Sequence, residues 1–349
     1  MVPRARRYRN PLPSRRTSAF HMQKTPPSGG ANAEIRIERG VKRALGSDTV
    51  VVILGASSGI GRAAARRFAK RRTRLVLCAR STESLAAVAE ECRKRGASDV
   101  LPIALDITES DAVSEMLATV EARYGRIDVW VGSSSVYSFG PYETLPPEVV
   151  RRVIEVNLIG QMQAAQAAIP LLERGRGVLI LIGSVLSELA APYIAPYVAS
   201  KHGIAGFAKV LRLELRGRVD VSLVLPATVD TPIYQHAASS TGRRQRALPP
   251  AISPARVARA IVKTARRPRR RMVVGRAQGA ALYLRPFSPA LVDGFMSAYM
   301  RVVGVRTRSA APTDGNLFRP EPGVNAVDGG WRWWRTGEAK QKERSRQPH

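Results

Sequence analysis

The chain has 349 residues, an ordinary apolar content of 44% and a formal charge of +29, from 56 Lys and Arg against 27 Asp and Glu. That length accommodates one large α/β domain with extensions, or two domains. Cys78 and Cys92 are the only two cysteines and belong to no Cys-x-x-Cys or His cluster, which excludes a disulfide framework and a zinc site; the arginines are spread along the whole chain without a nucleic-acid motif, so polyanion attraction follows from the charge but no specific nucleic-acid partner does.

Residues 1–46 are rich in Pro, Arg, Ser and Gly, lack periodicity, and lack the apolar core of a secretory signal. They read as a disordered basic extension, with a short basic helix expected over 36–45. Val50, Val51, Val52, Ile53 and Leu54 then form a buried apolar strand. Gly55-Ala56-Ser57-Ser58-Gly59-Ile60-Gly61 follows, and after it an amphipathic helix. Glycines let a backbone turn tightly against a pyrophosphate, and the helix start offers that anion free N–H groups. A second apolar run, 74–79, ends at Arg80 with no carboxylate after it. An acidic residue there would hold a ribose 2′-hydroxyl, whereas an arginine suits a 2′-phosphate. NADP(H) is therefore favoured over NAD(H).

Further strands are expected near 100–104, 127–131, 177–183 and 219–225, and helices near 60–71, 82–96, 109–124, 147–173 and 196–217. This alternation predicts a Rossmann-like, doubly wound parallel sheet with helices on both faces. Ser184 follows the fifth strand, and Tyr197 and Lys201 sit four residues apart, on one face of a helix. A phenol with a pKa near ~10 is a poor proton donor or acceptor at neutrality, and a fixed cation beside it lowers that value. The serine hydroxyl can hold a carbonyl or alcohol oxygen next to the phenol.

Together these motifs resemble the short-chain dehydrogenase/reductase family over about residues 49 to 232. Gly55-x-x-x-Gly59-x-Gly61 matches the family's phosphate loop, and Tyr197-x-x-x-Lys201 its active-site signature. The resemblance implies a catalytic Ser184, Tyr197 and Lys201, with Asn157 supporting a proton relay. It also implies cofactor contacts from Ser57, Ser58, Ile60, Asp106 beside the adenine, and Pro226 and Thr231 beside the nicotinamide. A strand near 271–275 would complete a seven-stranded sheet, and the long helices at 147–173 and 196–217 imply a homo-oligomer. The chain departs from the pattern in three places. Leu54 stands where the family has Thr, Gly132-Ser133-Ser134-Ser135 replaces Asn-Asn-Ala-Gly, and Ala227 replaces Gly after Pro226.

Residues 227–253 form a long mixed segment, expected to be a lid or a disordered insert, with His236 a candidate for the pocket although a lone loop His is ordinarily solvated. Residues 278–305 have helical spacing broken by Pro286 and Pro289, and are too interrupted for a membrane span. A helix pair packing on the domain or a partner subunit is the favoured expectation, and an amphipathic membrane contact the second. The tail from 306, with Trp331, Trp333 and Trp334, is expected to dock back on the body. The resulting division is an extension (1–46), a cofactor-binding catalytic domain (47–276), a helical extension (277–305) and a polar tail (306–349). The expected function is NADP(H)-dependent interconversion of an apolar carbonyl and its alcohol, in the cytoplasm or peripherally at a membrane. The rival is a weakly catalytic cofactor-binding scaffold or redox-sensing regulator.

Overall fold

The computed structural model describes residues 43–332, apart from 310, 322 and 324. Most of the basic extension, and Trp333 and Trp334, lie outside the described residues. Of the basic helix expected over 36–45, only 43–45 are described, and these are not helical.

Seven parallel strands form the central sheet: β1 (Val50–Leu54), β2 (Arg74–Ala79), β3 (Asp99–Ala104), β4 (Val129–Gly132), β6 (Val178–Ile182), β7 (Asp220–Pro226) and β10 (Arg271–Val274). Their spatial order is β10-β7-β6-β4-β1-β2-β3. The chain reverses its direction of travel between β1 and β4, and the crevice outside their C-terminal ends is where such sheets bind ligands. Strand alternation divides the core. Val50, Val52 and Leu54 face a cluster with Trp130 and Leu181, whereas Val51 and Ile53 face one with Phe68, Leu85 and Val257. The sheet is thus covered on both faces, as near-continuous apolar strands require.

Helices α1 (Gly59–Ala69), α2 (Thr82–Lys94) and α3 (Ser110–Tyr124) fall where the periodicity places them. The helix expected over 147–173 is instead two, α4 (Pro147–Ile154) and α5 (Gly160–Arg174), joined by a π-helical turn over Glu155–Ile159. The wider turn carries Asn157, which is wholly buried. Helix α6 (Ala195–Glu214) carries Tyr197 and Lys201, and α7 (Pro254–Arg266) packs beside α1.

The 227–253 segment is not a structureless insert. It holds β8 (Ala238–Ser239), which pairs with β5 (Ser138–Phe139), and β9 (Arg243–Gln245), which pairs with β11 (Val305–Ser309). The helix pair past the sheet is present as α8 (Arg276–Leu284) and α9 (Pro289–Tyr299), parted at the two prolines. No helix among the described residues is long and apolar enough to cross a membrane.

The turn from β1 to α1 has no room for side chains at two points. A Cβ at Gly55, where φ is +75°, would lie 2.8 Å from the Ser134 nitrogen, and one at Gly61 would overlap the Gly55 carbonyl oxygen. Backbone lies on both sides, so little can yield. Gly61→Ala is expected to cost about 1–3 kcal/mol or more in urea unfolding, whereas Gly206→Ala, at an open helical position, is expected to be neutral or stabilising.

Candidate active site

The crevice beyond β1 and β4 opens into a cavity of about 460 Å³. Its lining includes every residue that the sequence assigned to the cofactor, from Gly55 to Gly61, Arg80, Asp106, Pro226 and Thr231, and also Ser184, Tyr197 and Lys201. At one end Gly59 and Ile60 begin α1, with Ser58 as its N-cap. The Thr231 methyl lies close over Gly59, where an added Cβ would meet it at 3.1 Å.

The Gly132–Ser135 departure is absorbed by the backbone. The Ser133 amide donates to the Leu54 carbonyl at 3.2 Å, and the Ser133 hydroxyl donates to the same oxygen. The Ser134 carbonyl accepts from Gln161 Nε2 at 2.8 Å. Small residues thus preserve the close approach between β4 and the glycine turn. Asn157 holds the next residues, accepting from the Val136 amide at 2.8 Å and donating to its carbonyl at 2.9 Å. It also donates to Ser200 Oγ at 3.4 Å. Its described contacts fix the chain after β4; none reaches Lys201 directly.

Ser184 caps the short turn Val185–Ser187, with Oγ accepting from the Leu186 amide at 3.1 Å. The cap fixes the hydroxyl on the cavity wall that also carries Tyr197. Lys201 Nζ donates to the Ile182 carbonyl at 3.2 Å, at the end of β6, and lies 5.4 Å from the Tyr197 ring centre. So β6, its cap and α6 bring together three groups that are separated in sequence.

The electrostatics differ from the sequence expectation. Burial pushes the Tyr197 phenol up to about 12, against a smaller lowering by Ser184. Burial pushes Lys201 down to about 8. A lysine-lowered phenol was expected; burial raises the phenol instead, and the opposing influence comes from Ser184. At neutral pH the phenol holds its proton.

Two tyrosines missed by the sequence reading complete the surroundings. Tyr137 lies 4.7 Å from Tyr197 and 5.8 Å from Tyr234, ring centre to ring centre. Gln245 Nε2 donates to the Tyr137 hydroxyl at 2.9 Å. Beyond them, Ile194, Leu248, Phe295 and Met300 give the far end of the cavity an apolar wall. No local pattern marks Tyr137 or Tyr234, since strand pairing and loop packing bring them in. His236 is not solvated: it is buried, accepts from Asn316 Nδ2 at 3.2 Å, and is pushed down to about 4 by burial and then by the Arg80 charge.

Arg80 and Asp106 sit at the other end. Asp106 is ion-paired with Arg152 and accepts from the Thr108 amide at 3.0 Å and hydroxyl at 2.8 Å. Arg80 donates to the Asn316 carbonyl at 2.5 Å and the Leu317 carbonyl at 2.9 Å. The arginine assigned to a 2′-phosphate is thus at the cleft, but two of its N–H groups are engaged by the C-terminal segment. Among the described residues no cluster of His, Cys, Asp or Glu suits a metal.

Residues 49–241 match the model of the short chain dehydrogenase family. An uncharacterized oxidoreductase of Bacillus subtilis, YxnA, is 31% identical over 260 residues, 72% of either chain. The structure of an alcohol dehydrogenase from Thermococcus sibiricus complexed with 5-hydroxy-NADP is similar over 65% of this chain and 94% of its own, with 28% identity and a TM-score of 0.58. A metagenomic short-chain oxidoreductase in complex with NADP is similar over 66% of this chain and 97% of its own, with 31% identity and a TM-score of 0.57.

Lys201 carries a stability cost that can be measured. Its pKa falls from the ordinary 10.5 to about 8 on folding. Between those values the unfolded chain binds more protons, so stability rises with pH across that window and the penalty is full below it. Lys201→Met is expected to stabilise the protein by about 1–3 kcal/mol at pH 7. In urea unfolding at several pH values, that gain is expected to fade as pH rises from about 8 to 10.5.

Proposed function

The chain belongs to the short chain dehydrogenase family, and on that premise we propose that it interconverts a carbonyl and an alcohol with a nicotinamide dinucleotide, NADP(H) in preference to NAD(H). The observation that carries the reading is the convergence of Ser184, Tyr197 and Lys201 at one end of a cavity whose other end is the glycine turn and the start of α1. That turn fits a dinucleotide: its glycines leave no side chain between backbone and ligand, and a helix start offers N–H groups to an anion, the Gly59 amide now being held by the Ala326 carbonyl. Gly55, Ser57, Ser58, Gly59, Ile60 and Gly61 would hold the pyrophosphate half, with Asp106 near the adenine and Pro226 and Thr231 at the nicotinamide end. Arg80, with no carboxylate after β2, supports the 2′-phosphate form.

When bound, the nicotinamide supplies or accepts the hydride. The Ser184 hydroxyl holds the substrate oxygen. Tyr197, protonated at neutral pH, gives its O–H proton to that oxygen in reduction and recovers it from the alcohol in oxidation. The Lys201 cation favours the phenolate that this transfer leaves behind. Asn157 positions the chain after β4, and its place on the π-helical turn beside α6 supports a role in returning the proton. The apolar far wall favours an apolar substrate.

Two exposed apolar surfaces bear on partners. Ile159, Met162, Val210 and Leu213 stand out from the π-helical turn, α5 and α6, with Leu213 77% exposed, and they support a homo-oligomer through those helices. Leu284, Phe287 and Leu291 are exposed around the α8–α9 turn, with Phe287 89% exposed. They suit a second subunit or, in the alternative reading, a membrane surface. A cytoplasmic location accords with the two free thiols.

The test of the chemistry is Tyr197→Phe. Turnover of NADPH with a panel of apolar ketones is expected to fall by about 10²–10⁴-fold, with NADPH binding unchanged in a fluorescence titration. Unchanged turnover would remove Tyr197 from the mechanism. Cofactor binding without turnover in the unmodified chain would favour the scaffold reading.

A further inference from the structure

The described C-terminal segment crosses the cofactor cleft. It begins at Thr313, whose amide donates to the Ser239 carbonyl at 3.0 Å and whose carbonyl accepts from the Ser239 amide at 2.8 Å. Gly315 then turns with φ +52°, so close to the loop that a Cβ would overlap the His236 carbonyl oxygen. The Asn316 amide donates to that same oxygen at 3.0 Å, and the Leu317 side chain is wholly buried in the main core. The Leu317 carbonyl is held twice, by Arg80 at 2.9 Å and by Arg152 Nε at 3.0 Å.

Further along, the Ala326 carbonyl accepts from the Gly59 amide at 3.0 Å. The Asn325 carbonyl accepts from Arg62 at 2.5 Å, and Asn325 Nδ2 donates to Ser84 Oγ at 2.7 Å. The segment is anchored at its end on buried Asp230, which accepts from the Trp331 amide at 2.8 Å and from Arg332 at 2.7 Å. Asn316 and Asn325 line the same cavity as Tyr197. The family match ends at residue 241, before this strap begins.

The donors it uses decide what it does. A phosphate is gripped by two N–H groups of an arginine fork. Strap carbonyls sit on both terminal nitrogens of Arg80. A 2′-phosphate needs those positions, whereas a 2′-hydroxyl does not. The geometry points to a specificity element, and we propose that the docked strap withholds Arg80 from the 2′-phosphate, so that NADP(H) binds only by displacing the Asn316–Leu317 carbonyls. Arg80 draws the site toward NADP(H); the strap opposes it, and the full chain discriminates less sharply than the cleft alone would. The inference rests on the reading of this cleft as a dinucleotide site.

The experiment compares NADPH and NADH affinities of the full chain with those of a chain ending at Ser309. Release of the Gly59 amide is common to both cofactors and release of Arg80 is not, so NADPH is expected to tighten by about tenfold or more beyond whatever gain NADH shows. Arg80→Ala in the shortened chain is expected to abolish the NADPH gain. Equal gains for both cofactors, or weaker binding of both, overturn the proposal, the latter making the strap a wall rather than a competitor. Binding of neither cofactor by either chain fails the dinucleotide reading itself. Because Leu317 belongs to the core, the unshortened protein supplies a second readout. Hydrogen exchange across 313–321 is expected to rise on adding NADPH and not on adding NADH. A fall with both overturns the proposal, whatever the shortened chain does.

Discussion

The close approach of the β1–α1 turn to the end of β4 governs everything around the cleft. Gly55 lies against the Ser133–Ser134 backbone, and Gly61 against the Gly55 carbonyl and the Ser133 hydroxyl, with no space for a Cβ at either. Ser133 ties the two together through the Leu54 carbonyl. That contact sets the start of α1, and with it the position of Gly59, on which Thr231 packs from one side and the strap carbonyl of Ala326 bonds from another. The small residues at 132–135 keep this approach close, and the Ser133 hydroxyl adds a bond of its own to the Leu54 carbonyl.

At the other end of the cavity the governing constraint is desolvation. Tyr197 and Lys201 are both withdrawn from water, and Tyr137 and Tyr234 add aromatic surface in place of solvent. Burial raises the phenol and lowers the ammonium, yet with Lys201 at about 8 the resting site at neutral pH holds a protonated phenol beside a cation. The ammonium's neighbour in the fold is a carbonyl of β6, not a carboxylate. A proton transfer that leaves a phenolate beside an ammonium is then the event that pairs the two charges. The cost of burying Lys201 is borne by the resting fold, and what it secures is a cation already in place when the phenol loses its proton.

Much of this was legible in the sequence for simple reasons. The strands are apolar runs bounded by Gly and polar turns, and their expected bounds fall within two residues of those in the structure. Tyr197 and Lys201 had to share a helix face because four residues separate them. The π-helical turn at Glu155–Ile159 was not legible: one extra residue in a helical turn leaves no mark on an apolar period. The direction of the Tyr197 shift was not legible, because spacing shows the neighbouring cation but not the burial that raises the phenol. His236 was legible only as a candidate for the pocket, since nothing in its loop's composition shows the strap that covers it. Nor was the strap's docking legible in detail. Its contacts to Arg80 and Gly59 come from backbone carbonyls, which every residue has, so no residue type at 316, 317 or 326 could announce them.

The strap also joins parts of the site that the sheet keeps apart. Asn316 bonds the His236 carbonyl and ring on the loop beside Tyr234, while its own carbonyl bonds Arg80 at the end of β2. Asp230, next to Thr231, anchors the strap's last described residues, and Trp331 packs on Tyr234. A shift of the Arg80 guanidinium toward a phosphate therefore loosens contacts to His236, and displacement of the strap at Asp230 exposes the Tyr234 wall. Both ends share one short length of chain whose bonds are mostly backbone bonds of fixed reach. Coupling between cofactor and substrate then needs no movement of the sheet, only the two-state docking of a segment that lies outside the matched family region.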